Sequence, residues 1–428
     1  MSSPHVFLDL ALAFFLALVV LNYWTYRSVL YPPFIFSALW LLDLSVVRLG
    51  LIEINPVHGN TLAIVAAGAA AFSAGGFLAS FTPRNVLRIH LFSTKSKKTA
   101  EILCNTLMII LLCGLPVMFF QTLQLSKMIG GSYLVLAQAR QVLVEASQNG
   151  EQSVSMILLS YFVMIATYTS LLFATDKKGR KFWVVTAIAF IACILSTGRT
   201  NLLLLISGLG TIQLLQEKQE SLRSAMWLLR WPITLFIALW TGLEFINKNT
   251  VDMSGGVAGI AMHYALIYIS GPLAAFDCVV QHPAEFIITT SHVFRFPLKL
   301  ATALHLANSA KGPTFDSFVP VPFPINVYTV FKYDFVELGI VGTLALMLFV
   351  GLLHSLLYLK ARQGGRFSTY LFASSIYVVL MVIFDDEYFL TGLNPHAIAF
   401  GLLYFSIGSV QFRLFSEYRQ RASLLMNS

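Results

Sequence analysis

Cys193-Ile-Leu-Ser-Thr-Gly-Arg-Thr-Asn-Leu-Leu-Leu-Leu-Ile206 sets a short polar knot, Ser196 to Asn201, inside sequence that is otherwise hydrocarbon in character. The flanks, Phe182 to Leu195 and Leu202 to Leu215, are almost wholly apolar, yet each is shorter than the roughly 20 residues that a membrane-spanning helix needs. Two short apolar helices joined by a polar tip read as a membrane hairpin with its tip at or just below the surface. An arginine at that depth costs about 2.5–3.5 kcal/mol unless it meets water or a counter-charge, so Arg199 is expected to face a cavity. The plainer alternative is a tip whose Ser, Thr, Gly and Asn merely satisfy backbone groups.

Working outward, the whole chain has this character. Of 428 residues 57% are hydrophobic and 11% charged, and the mean hydropathy is +0.75. Repeated apolar runs near 20 residues exclude a soluble globular class and give an all-α, polytopic integral membrane protein. The first run, Val6 to Trp24, has neither a basic stretch before it nor a small-residue cleavage site after it, so it is expected to be a retained first span. Cys104, Cys113, Cys193 and Cys278 show no paired spacing, which argues against both a disulfide framework and a zinc site.

The formal net charge is +8, and its distribution decides more than its sum. Arg27, the run Arg84 to Lys98, the cluster Lys177 to Lys181, the groups around Arg223 and Arg362, and the basic tail all fall on one side under a single alternation of spans. The positive-inside bias accounts for them without nucleic acid as a partner. That alternation puts the N-terminus outside and uses about 11 transmembrane helices within one domain, residues 1–428. The expected spans are Val6–Trp24, Phe34–Leu51, Thr61–Phe81, Ile102–Leu123, Val154–Ala174, Phe182–Leu195, Leu202–Leu215, Trp231–Phe245, Phe335–Leu359, Thr369–Phe389 and Pro395–Phe412. On the second, Asp43 and Arg48 are spaced for a local ion pair.

Two outer segments are long enough to build something. In the first, Leu125 to Ser153, apolar residues of Ser132 to Glu145 recur at three and four, the pattern of an amphipathic helix on the membrane surface. The second, Asn247 to Tyr333, is the largest loop. Within it Gly256 to Val280 is apolar but interrupted by His263, Gly271-Pro272 and Asp277, and is expected to form a pair of interfacial or re-entrant helices.

This arrangement leaves Arg48, Lys127, Arg140, Arg199, Lys248, Arg295, Lys299, Lys311 and Lys332 outside. The positive-inside rule gives no reason for cations there. Guanidinium forks suit phosphate oxygens and lysine acts as a point charge, so a phosphate-bearing substrate at the outer leaflet would explain Arg140, Arg199 and Arg295, each set among apolar neighbours. For Lys127, Lys248 and Lys311 ordinary solvated loop charge is the simpler reading.

Ser196-Thr-Gly-Arg-Thr-Asn-Leu-Leu at the hairpin tip, Tyr268-Ile-Ser-Gly-Pro-Leu-Ala-Ala-Phe-Asp277 in the large loop, and Ile325-Asn-Val-Tyr-Thr-Val-Phe331 before the next span resemble, in the same order, the Wzy-type polymerases of O-antigen and other oligosaccharide repeat units. The similarity runs over about residues 195–351; elsewhere only hydropathy agrees. The family carries an Asp-Phe-Gly after its Asn-Val-Tyr-Thr. Here the chain reads Lys332-Tyr-Asp-Phe-Val-Glu-Leu-Gly339, so either Glu337 or, with a shifted register, Asp334 fills the acidic position.

The resemblance implies a glycosyltransferase of a bacterial inner membrane, active at its periplasmic face. It would transfer a glycan from undecaprenyl pyrophosphate to the next lipid-linked repeat, beside a chain-length regulator and within membrane lipids. Cations near the pyrophosphate would stabilise its growing charge. Arg199, Arg295, Arg140 and Lys299 are the candidates, with Thr197, Thr200, Asn201, Tyr268, Asn326 and Tyr328 as further substrate contacts. The attacking sugar hydroxyl needs a general base. Asp277 and His263, which share one apolar segment, come first and Glu337 next. No metal or cofactor is expected. Asp385-Asp386-Glu387 reads as a solvated helix end, or as a carboxylate patch for a divalent cation. An O-antigen ligase and a transporter or flippase of a lipid-linked glycan are the alternatives.

Overall fold

A computed structural model of the chain describes residues 4–83, 97–127, 139, 142, 154–176, 179–196, 199–218, 220–226, 230, 234, 256–286, 291–294, 298, 301–302, 305–306, 318–388, 398–404 and 406. They are mostly helical. The helices are α1 (Pro4–Tyr26), α2 (Pro32–Arg48), α3 (Gly59–Ser80), α4 (Lys97–Lys127), α5 (Val154–Asp176), α6 (Arg180–Leu195), α7 (Arg199–Glu217), α8 (Gly256–Gln281), α9 (Phe331–Arg362) and α10 (Arg366–Leu380). Between α8 and α9 lie a 3-10 turn, Pro283–Glu285, and a small antiparallel pair, β1 (Val319–Pro320) with β2 (Pro324–Ile325). Among the described residues six helices, α1, α3, α4, α5, α8 and α9, are long and apolar enough to cross a membrane. The amphipathic segment Ser132 to Glu145 and the expected span Trp231–Phe245 fall almost wholly outside the described residues.

The apolar runs sort into an inner and an outer set. On α1, Leu8, Ala11, Phe15 and Leu18 form a buried stripe at helical spacing, while Leu10, Leu16, Leu21 and Trp24 are exposed, as a lipid-facing side requires. The α3 helix is buried on more of its circumference, and small residues let its neighbour come close. A Cβ added at Gly75 would lie 2.0 Å from the Leu348 carbonyl oxygen, and one at Gly351 would lie 2.1 Å from that of Phe72. Backbones touch there, as is common where small residues pair within membranes. Asn22 ties α1 to this core by donating to Pro33 O (3.1 Å), Ser37 Oγ (3.2 Å) and Ser73 Oγ (3.0 Å). At the same end Glu220 accepts from Tyr358 Oη at 2.7 Å and meets Arg362 Nε at 3.4 Å.

Two local readings of the sequence are corrected. Arg48 pairs with Asp9 of α1, Nε to Oδ1 at 2.6 Å, and not with Asp43. Asp43 is fully buried, because its position on α2 turns toward the bundle while Arg48, at the helix end, reaches solvent. The stretch around Gly271-Pro272 is one uninterrupted helix, α8, with Pro272 inside it, and not a pair of helices. Proline is tolerated in membrane helices when neighbouring groups take up the freed carbonyl.

The discontinuity lies in α9. Gly339 has φ 67° and ψ −177°, which only glycine adopts readily. Past it, the helix runs beside α3, with Gly351 against Phe72 and Leu348 against Gly75, while the Phe331 ring, ahead of it, packs on Gly68. Gly339 thus separates a first helical segment, residues 331–338, from the long part of α9. Ahead of this first segment the backbone is irregular. Val330 N–H donates to Val382 O at 3.0 Å, joining the start of α9 to the turns that follow α10. Irregular backbone at such depth survives only when protein encloses it, and Thr329, Val330, Phe331 and Asp334 are all fully buried.

Candidate functional site

Residues of the second and third motifs, on α8 and ahead of α9, meet at this interruption. Gly271 lets α8 approach β2, where an added Cβ would lie 2.1 Å from Ile325 Cδ1 and 3.2 Å from Phe323 Cε2. The Phe276 ring lies 6.1 Å from Phe331 and 6.0 Å from Phe335, and Tyr268 lies 5.3 Å from Phe384. On α7, Gly208 abuts the Ala373 carbonyl of the antiparallel α10. Thr200 and Asn201, in the first turn of α7, are half-buried. The α8 motif and the segment before α9 thus pack against each other.

Asp277 is 6% exposed and sits at the end of α8 against the start of α3. Its Oδ1 accepts from the His58 backbone N–H at 3.0 Å and from Thr61 Oγ1 at 2.5 Å, and its Oδ2 faces His58 Nδ1 at 2.8 Å. The carboxylate thus caps α3 from another helix, where His58 offers no side-chain cap of its own. His263 is exposed and lies fourteen positions earlier on α8, about 21 Å away along the helix, so the structure does not bring it to Asp277.

Glu337 is engaged by a different loop. It accepts from Ser291 Oγ, from His292 N–H at 2.5 Å and from Val293 N–H at 3.4 Å, and so fastens residues 291–294 to the first segment of α9. The His292 ring stacks on Tyr333 at 3.9 Å and 12°. Of the two acidic positions left open by the sequence, Glu337 holds a turn. Asp334 lies one turn deeper with neither oxygen hydrogen-bonded to a described residue. Asp43 is also fully buried, with the Ser270 hydroxyl of α8 as its polar neighbour. Thr329 Oγ1 is likewise buried without a partner among the described residues. Unmatched carboxyls inside a membrane bundle mark functional positions more often than structural ones.

The cation that the structure does describe in this region is Lys332, 3% exposed, with Nζ 3.7 Å from the Tyr328 ring centroid and 5.0 Å from that of Tyr333. The rings stabilise a desolvated ammonium through their negative faces. Tyr328, expected to touch substrate, is instead buried beneath this lysine, and Asn326 is half-buried in the strand that leads to it. Arg140, Thr197, Arg295 and Lys299 lie outside the described residues, as does the side chain of Arg199.

Asp385, Asp386 and Glu387 do not form a solvated helix end. Asp386 is fully buried and Glu387 is 8% exposed, because α10 stops at Leu380 and the chain turns back into the bundle. Asp385 Oδ1 accepts from Asp386 N–H at 2.8 Å, and Asp386 Oδ1 from Tyr388 N–H at 3.0 Å. Among the described residues no three His, Cys, Asp or Glu side chains come together as a metal site.

Sequence reasoning missed His58, Thr61, Asp43 and Ser270. His58 precedes an expected span in an ordinary connecting loop, and its partner is more than two hundred residues away, so no spacing announces it. No family model matches the chain, and neither a curated protein nor a solved structure is detectably similar to it.

Proposed function

We propose that the chain is an oligosaccharide repeat-unit polymerase of the O-antigen kind. In this reading it transfers an undecaprenyl-pyrophosphate-linked glycan to the next lipid-linked repeat at the periplasmic face of a bacterial inner membrane. The observation that carries the reading is the packing of two motif segments, 268–277 and 325–331, against each other at one interruption in the helix bundle. Segments far apart in sequence that resemble one family and pack together are what a common site would select.

The chemistry suits the arrangement. As the bond to the anomeric carbon breaks, negative charge grows on the pyrophosphate, and fixed cations aimed at that charge lower the barrier. Arg199, at the start of α7, is the first of these; Arg295, Arg140 and Lys299 are the others proposed. Thr197, Thr200 and Asn201 add neutral donors. The reading carries with it about 11 spans, with the His58 end periplasmic and the Glu220 end cytoplasmic, and a chain-length regulator as membrane partner.

Deleting the protein from its native cell tests the proposal: lipopolysaccharide should then carry core with a single repeat. Loss of all repeats would instead indicate a ligase. The interrupted α9 gives specific weight to a transporter reading, since broken helices line many transport sites. Purified protein in vesicles, supplied with two lipid-linked repeats in one leaflet, should make longer chains; unchanged repeats moved between leaflets would replace the polymerase by a flippase.

A further inference from the structure

We propose that His58 is the proton acceptor for the attacking sugar hydroxyl and that Asp277 is the residue that positions it. The assignment rests on the polymerase reading for its substrate and on geometry for its residues. Asp277 divides its two oxygens between two tasks. Oδ1 is occupied by the His58 backbone N–H and by Thr61 Oγ1, which fix the carboxylate relative to the His58 main chain. Oδ2 is left for the imidazole.

An ionised carboxylate only accepts, so Nδ1 carries the ring proton, and in the neutral ring the lone pair is on Nε2. The His58 side chain is 61% exposed whereas that of Asp277 is 8% exposed. A held carboxylate, an imidazole turned by it, and an Nε2 open to the surface are the parts of an oriented general base.

His58 precedes the first turn of α3, at the end of the bundle that the proposed function makes periplasmic, where the sugars of a lipid-linked repeat would stand. Nε2 takes the hydroxyl proton as that oxygen bonds to the anomeric carbon. The bond from this carbon to the diphosphate oxygen breaks, its electron pair leaves with the diphosphate, and the imidazolium then returns its proton to water. Asp277, expected from the sequence to be the base, acts through His58.

The test uses full-length protein in nanodiscs, labelled with nitrogen-15 at histidine, with His58→Gln to assign the ring. Wild type should show a protonated Nδ1 and an unprotonated Nε2, and Asp277→Asn should mix the tautomers. Chain elongation from two lipid-linked repeats should fall by about 10²–10⁴ in His58→Gln, at unchanged thermal stability. Added imidazole should restore part of the rate to His58→Ala but not to Asp277→Asn, whose ring is still present. Elongation by His58→Gln at the wild-type rate overturns the assignment, as does an Nε2–H tautomer in the wild type. Wild-type protein that elongates nothing overturns the polymerase reading, and with it the base, while the tautomer measurement reports on the dyad separately.

Discussion

Gly339→Ala isolates the backbone turn on which the geometry of the interruption depends. A Cβ built on Gly339 has nothing within 4 Å, so the substitution introduces no clash. What it introduces is strain, because φ 67° with ψ −177° belongs to a region that side chains avoid at about 1–3 kcal/mol. Relieving that strain means straightening the helix. A continuous Phe331–Arg362 has 32 residues and would measure about 48 Å, well beyond the roughly 30 Å of hydrocarbon it has to cross, and would carry Lys332 and Asp334 away from their neighbours. Reversible unfolding in bicelles should therefore show a loss of about 1–3 kcal/mol, with chain elongation impaired. Gly259→Ala is the control. Gly259 is exposed within α8, has open space around its Cβ position and no positive φ, so alanine there should stabilise by about 0.5–1 kcal/mol. Should Gly339→Ala match or exceed the wild type in stability, the turn is not as described and the separation of residues 331–338 from the rest of α9 fails with it.

Three further outcomes follow from the same structure. Gly75→Ala and Gly351→Ala press a methyl group onto the facing backbone, so each should lower stability by about 1–3 kcal/mol and, by displacing α9 by about 1 Å, reduce elongation more than stability alone would. Asn22→Leu removes the donor shared by Pro33, Ser37 and Ser73 and should cost about 1–3 kcal/mol in the same unfolding assay, with elongation little changed once the protein is folded. Arg199→Ala and Arg295→Ala should each leave lipopolysaccharide with a single repeat at normal membrane levels of protein, and lysine at either position should rescue only partly because the fork is lost.

Helix existence was legible because hydrocarbon length is a constraint that sequence states openly, as at Val6–Tyr26 and Gly59–Ser80. Where helices break was less legible. Gly271-Pro272 looks like a break, yet packing against β2 keeps α8 continuous, whereas Gly339 sits unremarked in an apolar run and turns the chain. Pairings failed for a related reason. Asp43 and Arg48 have helical spacing, but each faces a different neighbour, and only the placement of α1 makes Asp9 the partner of Arg48. At the site, Asp277 was legible as a carboxylate in apolar surroundings. That it serves His58 was not, since one residue ends α8 and the other precedes α3, and nothing local joins them.

The bond from Val330 to Val382 fastens the start of the interrupted α9 to the turns after α10, away from the lipid-facing flank of α1. The segment that enters α9 and the acidic stretch that leaves α10 therefore share one anchor, and a substitution that dislodges either backbone removes a partner from both.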